Sequence, residues 1–357
     1  MPRITWLDSC RGLAILFLIA IHYVAALESR SYISEDLLHL IKSFFRVATP
    51  FFIFTFGFTF YIAYQKRLIS NTLKSIYNKS LFTKLLYILV AREVIAVILA
   101  IRFPRLEDKI FDVLTFQSFS MGGEILIFYF FAILVAPLNL KFLLKVNHFV
   151  YILTWLVIYS CSYFIGSTYI TSESHGIYRF LFYDVYPFFP FLFVMACGMF
   201  MAKIYKNLST DLQRLKFYSL LSVSFIVLAL IGFNIISDNV ISDLSYGVFK
   251  APPNLFYILF YIGITLSIII VLATLLSKNL IPKSINNILA TIGKNSLLAY
   301  VLHYTFFMSS SVTKYFKLNS IIEILAFIFM LVLSYFIIVY WNKYKDFKKS
   351  NKLQGKL

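Results

Sequence analysis

The stretch that decides the fold comes first in the chain, residues 1–30, MPRITWLDSCRGLAILFLIAIHYVAALESR. Its apolar run is long enough to cross a membrane as a helix, with Asp8 and Arg11 at one mouth and His22 inside. At ~1.5 Å per residue, Arg11 and His22 lie about 16 Å apart along the axis, roughly half of a ~30 Å hydrocarbon core. An ionisable group at that depth is costly, so His22 is a candidate functional residue.

The composition of the whole chain points to the same environment. With 60% hydrophobic and 14% charged residues, it does not have the profile of a soluble globular domain. The net charge of +17 comes from bases in short loops between apolar runs, which is the positive-inside pattern of membrane proteins rather than a nucleic-acid-binding surface. The three cysteines have no metal-ligand spacing, and we predict neither a metal site nor a structural disulfide.

Apolar windows long enough to span a bilayer recur along the chain. We therefore predict an all-α, polytopic integral membrane protein with about 10 transmembrane helices. The third window contains Arg92 and Glu93, which we expect to pair with other helices because sequence neighbours do not share a helix face. The windows lie near residues 11–27, 41–64, 82–101, 113–139, 147–166, 184–203, 216–236, 254–277, 294–311 and 320–341.

The loop charges predict the orientation. Lysines and arginines concentrate in the even-numbered connections and in the tail, whereas most acids lie in the opposite loops, so both termini are expected in the cytosol. The first window has no small-residue cleavage site and is predicted to be a retained signal anchor. We expect one membrane domain over residues 1–341, a basic cytosolic tail over 342–357, and a multi-pass location in the plasma membrane of a prokaryote.

A second intramembrane histidine, His303, lies nine residues after Lys294 in the ninth window. Both histidine-bearing helices run outward from the cytosol, so His22 and His303 should reach comparable depth and could face one cavity. Each can serve as an interhelical hydrogen-bonding group or as a proton acceptor near neutral pH.

The mouth of the ninth window combines Lys294, Asn295 and Ser296. A helix that starts here would offer its free N–H groups, its dipole and a lysine to a phosphate. A capped helix start beside anionic lipid headgroups explains the same residues equally well.

Five further polar residues are predicted on the outer side or facing the protein interior. Arg46 precedes an apolar run and could snorkel or pair with an acid. Gln117 and Glu124 belong to a segment too polar to face lipid. Asp184 and Lys250 should line the external face, where a polar acceptor could dock.

These residues together resemble a known family. LDSCRGLAILFLIAIH, with its Arg-x10-His spacing, is similar to the first helix of the transmembrane acyltransferases, the group that contains acyltransferase family 3. Further segments resemble the heparan-α-glucosaminide N-acetyltransferase-like branch, and the resemblance extends in family order from residue 3 to about residue 341. These segments are PFFIFTFGF, DVLTFQSFS, DVYPFFPFLFVMACG, KAPPNLFY and GKNSLLAYVLH.

The resemblance implies transfer of an acetyl group from cytosolic acetyl-CoA to an acceptor beyond the membrane, commonly a sugar amine or hydroxyl. It also implies an essential histidine. In the family 3 pattern that residue matches His22, whereas in the heparan-type branch it lies in the first external segment, where the nearest histidine, His39, does not keep the expected spacing. The identity of the catalytic histidine stays open, as does the choice between direct transfer and an acyl-histidine intermediate.

The leading hypothesis is an acyl-CoA-dependent membrane acyltransferase that uses no metal. Its expected partners are the lipid bilayer, acyl-CoA and a glycan or glycolipid acceptor, with no nucleic acid, and a homodimer is among the assemblies it allows. In this hypothesis Asp8 holds Arg11, Arg11 orients the thioester, and His22 deprotonates the acceptor with help from His303 or Asp184. The cofactor-binding residues would be Arg11, Lys294, Asn295 and Ser296, and the substrate-binding residues Arg46, Gln117, Glu124 and Lys250. The alternatives are a transporter or flippase for a polar substrate, and a structural membrane protein without activity.

Overall fold

The computed structural model describes residues 4–27, 34–70, 73–102, 123–307 and 320–354, and within these ranges the chain forms fourteen α-helices and no strand. The helices are α1 (Thr5–Leu27), α2 (Glu35–Phe45), α3 (Ala48–Ser70), α4 (Lys79–Arg102), α5 (Glu124–Lys145), α6 (His148–Tyr169), α7 (Gly176–Phe182), α8 (Phe188–Asn207), α9 (Asp211–Ile236), α10 (Val240–Tyr246), α11 (Leu255–Ser277), α12 (Lys283–Lys294), α13 (Ser296–Phe307) and α14 (Ser320–Gln354).

Eight segments of the described chain are long and apolar enough to cross a membrane. They confirm an all-α polytopic membrane protein and match eight of the ten predicted windows. The window at 82–101 lies in α4, which is long enough but carries Lys84, Arg92 and Glu93. The window at 294–311 begins with α13, and its last residues lie outside the described ranges. The eight segments are Thr5–Val24, Glu35–Ile69, Glu124–Lys145, His148–Tyr169, Phe188–Asn207, Asp211–Ile236, Leu255–Ser277 and Ile324–Lys348.

The chain divides into two compact units. The first comprises Met1–Tyr32 together with Ala273–Leu357, and the second comprises Ile33–Leu272. In the first unit, the N-terminal helix therefore packs with helices from the far end of the sequence. The two ends of the chain build one unit, and its histidines come from both.

A close helix crossing in the first unit joins α1 to α12. A Cβ added to Gly12 would lie 2.0 Å from the carbonyl oxygen of Leu289, and one added to Gly293 would lie 1.8 Å from the carbonyl oxygen of Asp8. Only glycine allows two helix backbones to approach so closely, which is the usual device of tightly packed membrane helices. The crossing fixes α1 against the helices that follow α12.

A similar crossing in the second unit joins α3 to α8. A Cβ on Gly57 would lie 2.1 Å from the carbonyl oxygen of Met195, and one on Gly198 would lie 2.1 Å from the carbonyl oxygen of Phe54. The glycine next to the end of the apolar run PFFIFTFGF, Gly57, is therefore where the backbones of α3 and α8 come closest.

A buried amide joins three further helices of the second unit. Asn139 of α5 accepts hydrogen bonds from the Tyr151 hydroxyl at 2.9 Å and from the Trp155 indole nitrogen at 3.1 Å. Its own nitrogen lies 3.5 Å from the sulfur of Met199 in α8. Away from water such groups need protein partners, so the amide fixes how α5, α6 and α8 pack.

The expectation that Arg92 and Glu93 do not meet each other was wrong, whereas their pairing with other helices stays a prediction. Arg92 is 1% exposed and its guanidinium contacts the carboxylate of Glu93, its neighbour in sequence. Both side chains are long enough to bend along the helix and meet, even though their Cβ atoms point to different faces. The second predicted window, residues 41–64, contains the end of α2 at Phe45 and the start of α3 at Ala48.

Candidate functional site

The first unit contains a compact group of four rings, named here the histidine site: His22 of α1 and Tyr300, His303 and Tyr304 of α13. The ring centroids of His22 and His303 are 5.3 Å apart, and those of His22 and Tyr304 are 5.9 Å apart. His303 lies 4.9 Å from the ring of Tyr300 and 4.3 Å from that of Tyr304. The structure thus brings the two predicted histidines together.

The surroundings of His303 fix where its proton sits. Its Nδ1 lies 2.5 Å from the carbonyl oxygen of Tyr300, and a carbonyl can only accept, so Nδ1 carries the hydrogen. The opposite nitrogen, Nε2, therefore has a lone pair. Nε2 is buried and has no hydrogen-bond partner within the described part of the chain. A neutral imidazole held in one tautomer with its basic nitrogen inside the protein is suited to accept a proton.

The predicted phosphate-binding residues lie at the break between α12 and α13. The helix break falls at Asn295, whose side chain donates to the carbonyl of Thr291 at 2.9 Å, and Ser296 begins α13. The guanidinium of Arg11 donates to the hydroxyl of Ser296 at 2.9 Å. Lys294 ends α12 with an exposed side chain. The structure therefore brings the cation of α1 to the start of the histidine-bearing helix.

Asp8 lies on the same face of the first unit. Its side chain is buried, and its backbone carbonyl is the group that Gly293 approaches. Next to it, the Ser9 hydroxyl donates to the side-chain oxygen of Asn286 at 2.7 Å. The holding role predicted for Asp8 towards Arg11 stays a prediction.

The second unit contains a separate group of polar residues around the end of α10. Arg46, at the break between α2 and α3, donates from Nε and Nη2 to the carbonyl oxygen of Ser245 at 2.8 and 2.5 Å. A backbone carbonyl at a helix end thus takes both of these bonds, and the snorkelling or acid pairing expected for Arg46 stays a prediction. Gly247 adopts φ 77° beside this guanidinium.

His39 takes part in the same junction. Its Nδ1 lies 2.6 Å from the hydroxyl of Ser245, and its ring meets Tyr246 edge-on at 5.0 Å. The Ser245 hydroxyl itself donates to the carbonyl of Ser242, so His39 is the donor through Nδ1. These contacts join α2 to α10, and a catalytic role for His39 stays a prediction.

Lys250 of the second unit lies close to Tyr186, Arg46 and Glu124. The ammonium nitrogen of Lys250 lies 4.2 Å from the ring centroid of Tyr186. Burial, and then the charge of Arg46, lower the pKa of Lys250 to about 7 against the opposing effect of Glu124. Burial raises the pKa of Tyr186 to about 12, although a hydrogen bond with Thr49 opposes the rise. The structure thus brings together three of the four predicted substrate-binding residues, Arg46, Glu124 and Lys250.

The remaining predicted site residues are placed as follows. Asp184 accepts from Nη2 and Nε of Arg179 at 2.6 and 3.0 Å, an ion pair that ties the end of α7 to the segment before α8. Its catalytic role stays a prediction. Gln117 lies outside the described residues.

Sequence reasoning missed the tyrosines of both groups. Tyr300 and Tyr304 stand three residues before and one residue after His303, a spacing that places Tyr300 on its face of the helix. That spacing could have been noticed. Tyr186 and Tyr257 could not, because only the tertiary structure brings them towards Arg46.

Comparison with known proteins places the chain in a family. The catalytic-domain model described as heparan-alpha-glucosaminide N-acetyltransferase matches residues 3–237, about two thirds of the chain. The match includes His22 and Arg46, whereas Lys250 and His303 follow it. No curated protein and no solved structure matches the chain. Within the described ranges no group of three or more His, Cys, Asp or Glu side chains could hold a metal ion. The chain therefore belongs to the heparan-α-glucosaminide N-acetyltransferase catalytic-domain family, a family of membrane acetyltransferases.

Proposed function

We propose that this protein transfers an acetyl group from cytosolic acetyl-CoA to an amine or hydroxyl of a sugar on the opposite side of the membrane. One observation carries the proposal: two imidazole rings lie 5.3 Å apart in an apolar part of a chain from an acetyltransferase family. Acyl transfer to an amine or hydroxyl needs a group that takes the acceptor's proton. Histidine does this best near neutral pH.

The reaction can be written with the histidine pair as the proton carrier. The acceptor nitrogen or oxygen attacks the thioester carbonyl carbon, a C–N or C–O bond forms, and the C–S bond breaks. The acceptor's proton passes to an imidazole nitrogen of His22 or His303 and then to the thiolate of CoA. The products are the acetylated sugar and CoA thiol. Two imidazolium rings at this separation repel each other, so the pair carries one added proton at most.

The spacing along the helices supports acetyl-CoA as the donor. CoA carries its phosphates at one end and its thioester at the other. Arg11 and Lys294 lie where α13 begins, and Ser296 precedes His303 by seven residues, about 10 Å along a helix. We propose that Arg11, Lys294, Asn295 and Ser296 hold the phosphate end at the helix start, while the extended arm brings the thioester to the histidines.

The distribution of bases supports a cytosolic donor side. The loops and tail rich in lysine and arginine would face the cytosol, and the connection after α12 would lie on that side. The acceptor, a glycan or glycolipid, would then meet the histidines from outside the cell. The plasma membrane of a prokaryote fits this arrangement.

The experiment is acetyl transfer by the purified full-length protein with radiolabelled acetyl-CoA and glucosamine. Replacing His22 or His303 by alanine should lower the rate by roughly 10²–10⁴-fold, the usual contribution of a general base. His148→Ala is the matched control, because this histidine is exposed at the start of α6 and should leave the rate unchanged. A folded His22→Ala protein that transfers at the wild-type rate would refute the proposed role.

Two further measurements identify the acceptor group and the route of transfer. Glucosamine compared with glucose separates transfer to an amine from transfer to a hydroxyl. Incubation with labelled acetyl-CoA without acceptor, followed by mass spectrometry, separates the two routes: an acetyl group on His22 or His303 indicates an acyl-enzyme, and an unmodified protein indicates direct transfer.

A further inference from the structure

Several helix ends meet around Lys250 in the second unit. Thr49 lies in the first turn of α3, Glu124 is the first residue of α5, Tyr186 stands two residues before α8, and Tyr257 lies in the first turn of α11. Glu124 interacts electrostatically with both Lys250 and Tyr186. A hydrogen bond links Tyr186 to Thr49. Residues at the starts of four helices therefore interact around Lys250, and a helix start carries the positive end of its dipole.

Two cations add to this positive region. Arg46 is fixed by its two hydrogen bonds to the Ser245 carbonyl, so its charge is held in position. The ammonium of Lys250 packs on the ring of Tyr186 at 4.2 Å. One acid, Glu124, offsets one of the two charges. Arg46, Lys250, Tyr186 and Glu124 are each partly exposed.

A buried hydroxyl at the same place has no partner. Tyr257 is 0% exposed, and its hydroxyl makes no hydrogen bond within the described ranges. Electrostatic contacts with Arg46 and Tyr186 show that this hydroxyl belongs to the same group. A buried donor without a partner is unfavourable, and a hydrogen bond to a ligand oxygen would remove that cost.

From this arrangement we propose that Arg46, Lys250 and Tyr257 bind a carboxylate, and that Lys250 takes up a proton as the carboxylate binds. The charges favour a monoanion over a dianion, because the second negative charge of a phosphate would face Glu124. The carboxylate could be free acetate or part of an acidic sugar, and both present the same group. Binding of a carboxylate here can be measured without acetyl transfer.

The protonation state of the site follows from its neighbours. The groups facing Lys250 are Arg46, Glu124 and Tyr186, and the phenol of Tyr186 stays protonated at neutral pH because its pKa is raised. The Lys250 pKa of about 7 means that about three quarters of the amines are neutral at pH 7.5. A bound carboxylate favours the charged form, so binding should draw in roughly three quarters of a proton per site at this pH.

The sign of the pH dependence follows. The carboxylate stays ionised above about pH 5, and its tight complex requires protonated Lys250. Between pH 6 and pH 8 the protonated fraction falls roughly tenfold, so carboxylate affinity should fall about tenfold over the same interval.

Isothermal titration calorimetry of the full-length protein in nanodiscs tests the site without any turnover. The ligands are sodium acetate and sodium glucuronate, with glucose as the uncharged match to glucuronate. Titration at pH 7.5 in two buffers of different ionisation enthalpy measures the protons taken up. We expect acetate or glucuronate to bind with proton uptake and glucose not to bind. Tighter binding of glucuronate identifies an acidic sugar as the source, and tighter binding of acetate identifies a free small acid.

Variants separate binding from folding. Lys250→Gln should weaken carboxylate binding and abolish both proton uptake and pH dependence, whereas Lys278→Gln, the same change at an exposed lysine just beyond the other end of α11, should change neither. Tyr257→Phe should lower carboxylate affinity by roughly tenfold while raising the melting temperature of the unliganded protein, because it deletes an unpartnered buried hydroxyl. A purely structural role for Tyr257 predicts the opposite change in melting temperature.

Two outcomes would overturn the proposal. One is that neither acetate nor glucuronate binds to the wild-type protein. The other is that they bind without proton uptake, or bind equally well to Lys250→Gln.

Discussion

The crossing of α1 and α12 allows a direct test of how the histidine site is held. We predict that Gly293→Ala abolishes most acetyl transfer although residue 293 carries no reacting group. A Cβ at this position would lie 1.8 Å from the carbonyl oxygen of Asp8, whereas ordinary contact begins at 3.4 Å. The obstacle is backbone on both sides, so the helices must separate by about 1.5 Å.

That separation has a calculable consequence for the site. The bond from Arg11 to Ser296 is 2.9 Å long and would stretch beyond hydrogen-bonding distance. The His22 and His303 rings, which are 5.3 Å apart, would move by a comparable amount. A misplacement of about 1 Å in a catalytic group costs roughly 10²-fold in rate. Overpacking of this kind also destabilises a protein by about 1–3 kcal/mol.

The assay measures both quantities on the purified protein. We expect the rate of acetyl transfer to fall about a hundredfold and the melting temperature to drop. Gly12→Ala should act similarly, since its Cβ would lie 2.0 Å from the Leu289 carbonyl oxygen. The double variant should cost much less than the sum of the two, because one separation of the helices relieves both clashes. Wild-type rate and stability in Gly293→Ala would refute the argument, and additive effects would show that the two glycines act separately.

Two further predictions concern the second unit and are read from the melting temperature in detergent. Asn139→Leu leaves the Trp155 indole nitrogen without its acceptor, while the Tyr151 hydroxyl keeps only the Ala196 carbonyl at 3.3 Å. The free energy of unfolding should therefore fall by about 1–3 kcal/mol, and an unchanged melting temperature would contradict the importance of this amide. Gly247→Ala places a residue with a side chain in a left-handed backbone conformation, with its Cβ against the guanidinium of Arg46. The free energy of unfolding should therefore fall by about 1–2 kcal/mol, and a variant with a higher melting temperature would contradict this prediction.

The sequence allowed the helices and one part of the site to be predicted, for reasons that are local. Apolar runs of spanning length identify helices because each buries its own backbone hydrogen bonds in lipid. The meeting of His22 and His303 was also predictable. Both follow a charged helix mouth by about ten residues, and the rise per residue of a helix then sets a similar depth.

The cluster of polar residues in the second unit could not be predicted from the sequence, because it forms only in the tertiary structure. Arg46, Glu124 and Lys250 were selected one by one, for an apolar run, an inward-facing segment and the external face, but nothing in their spacing shows that they meet. Their meeting requires four helices to begin at one end of the unit. The sequence likewise gave no sign that Arg46 bonds to the carbonyl of Ser245, because any helix end could offer that carbonyl.

The helix crossings at glycines could be predicted only in part. Gly12 and Gly57 lie in segments that resemble the family, and a small residue in an apolar run indicates a close contact between helices. The partner of each helix could not be read from the run itself. Gly293 and Gly198 identify those partners only in the folded chain, where each glycine faces a backbone carbonyl.

The most direct test of the central claim uses proteoliposomes that contain glucosamine inside and radiolabelled acetyl-CoA outside. We expect the wild-type protein to acetylate the enclosed glucosamine with the radiolabel while CoA thiol appears outside. Vesicles with His22→Ala or His303→Ala should show neither labelled sugar nor CoA thiol. Labelled acetyl-CoA consumed with no label on the enclosed sugar, or sugar labelled equally well by the histidine variants, would contradict the central claim.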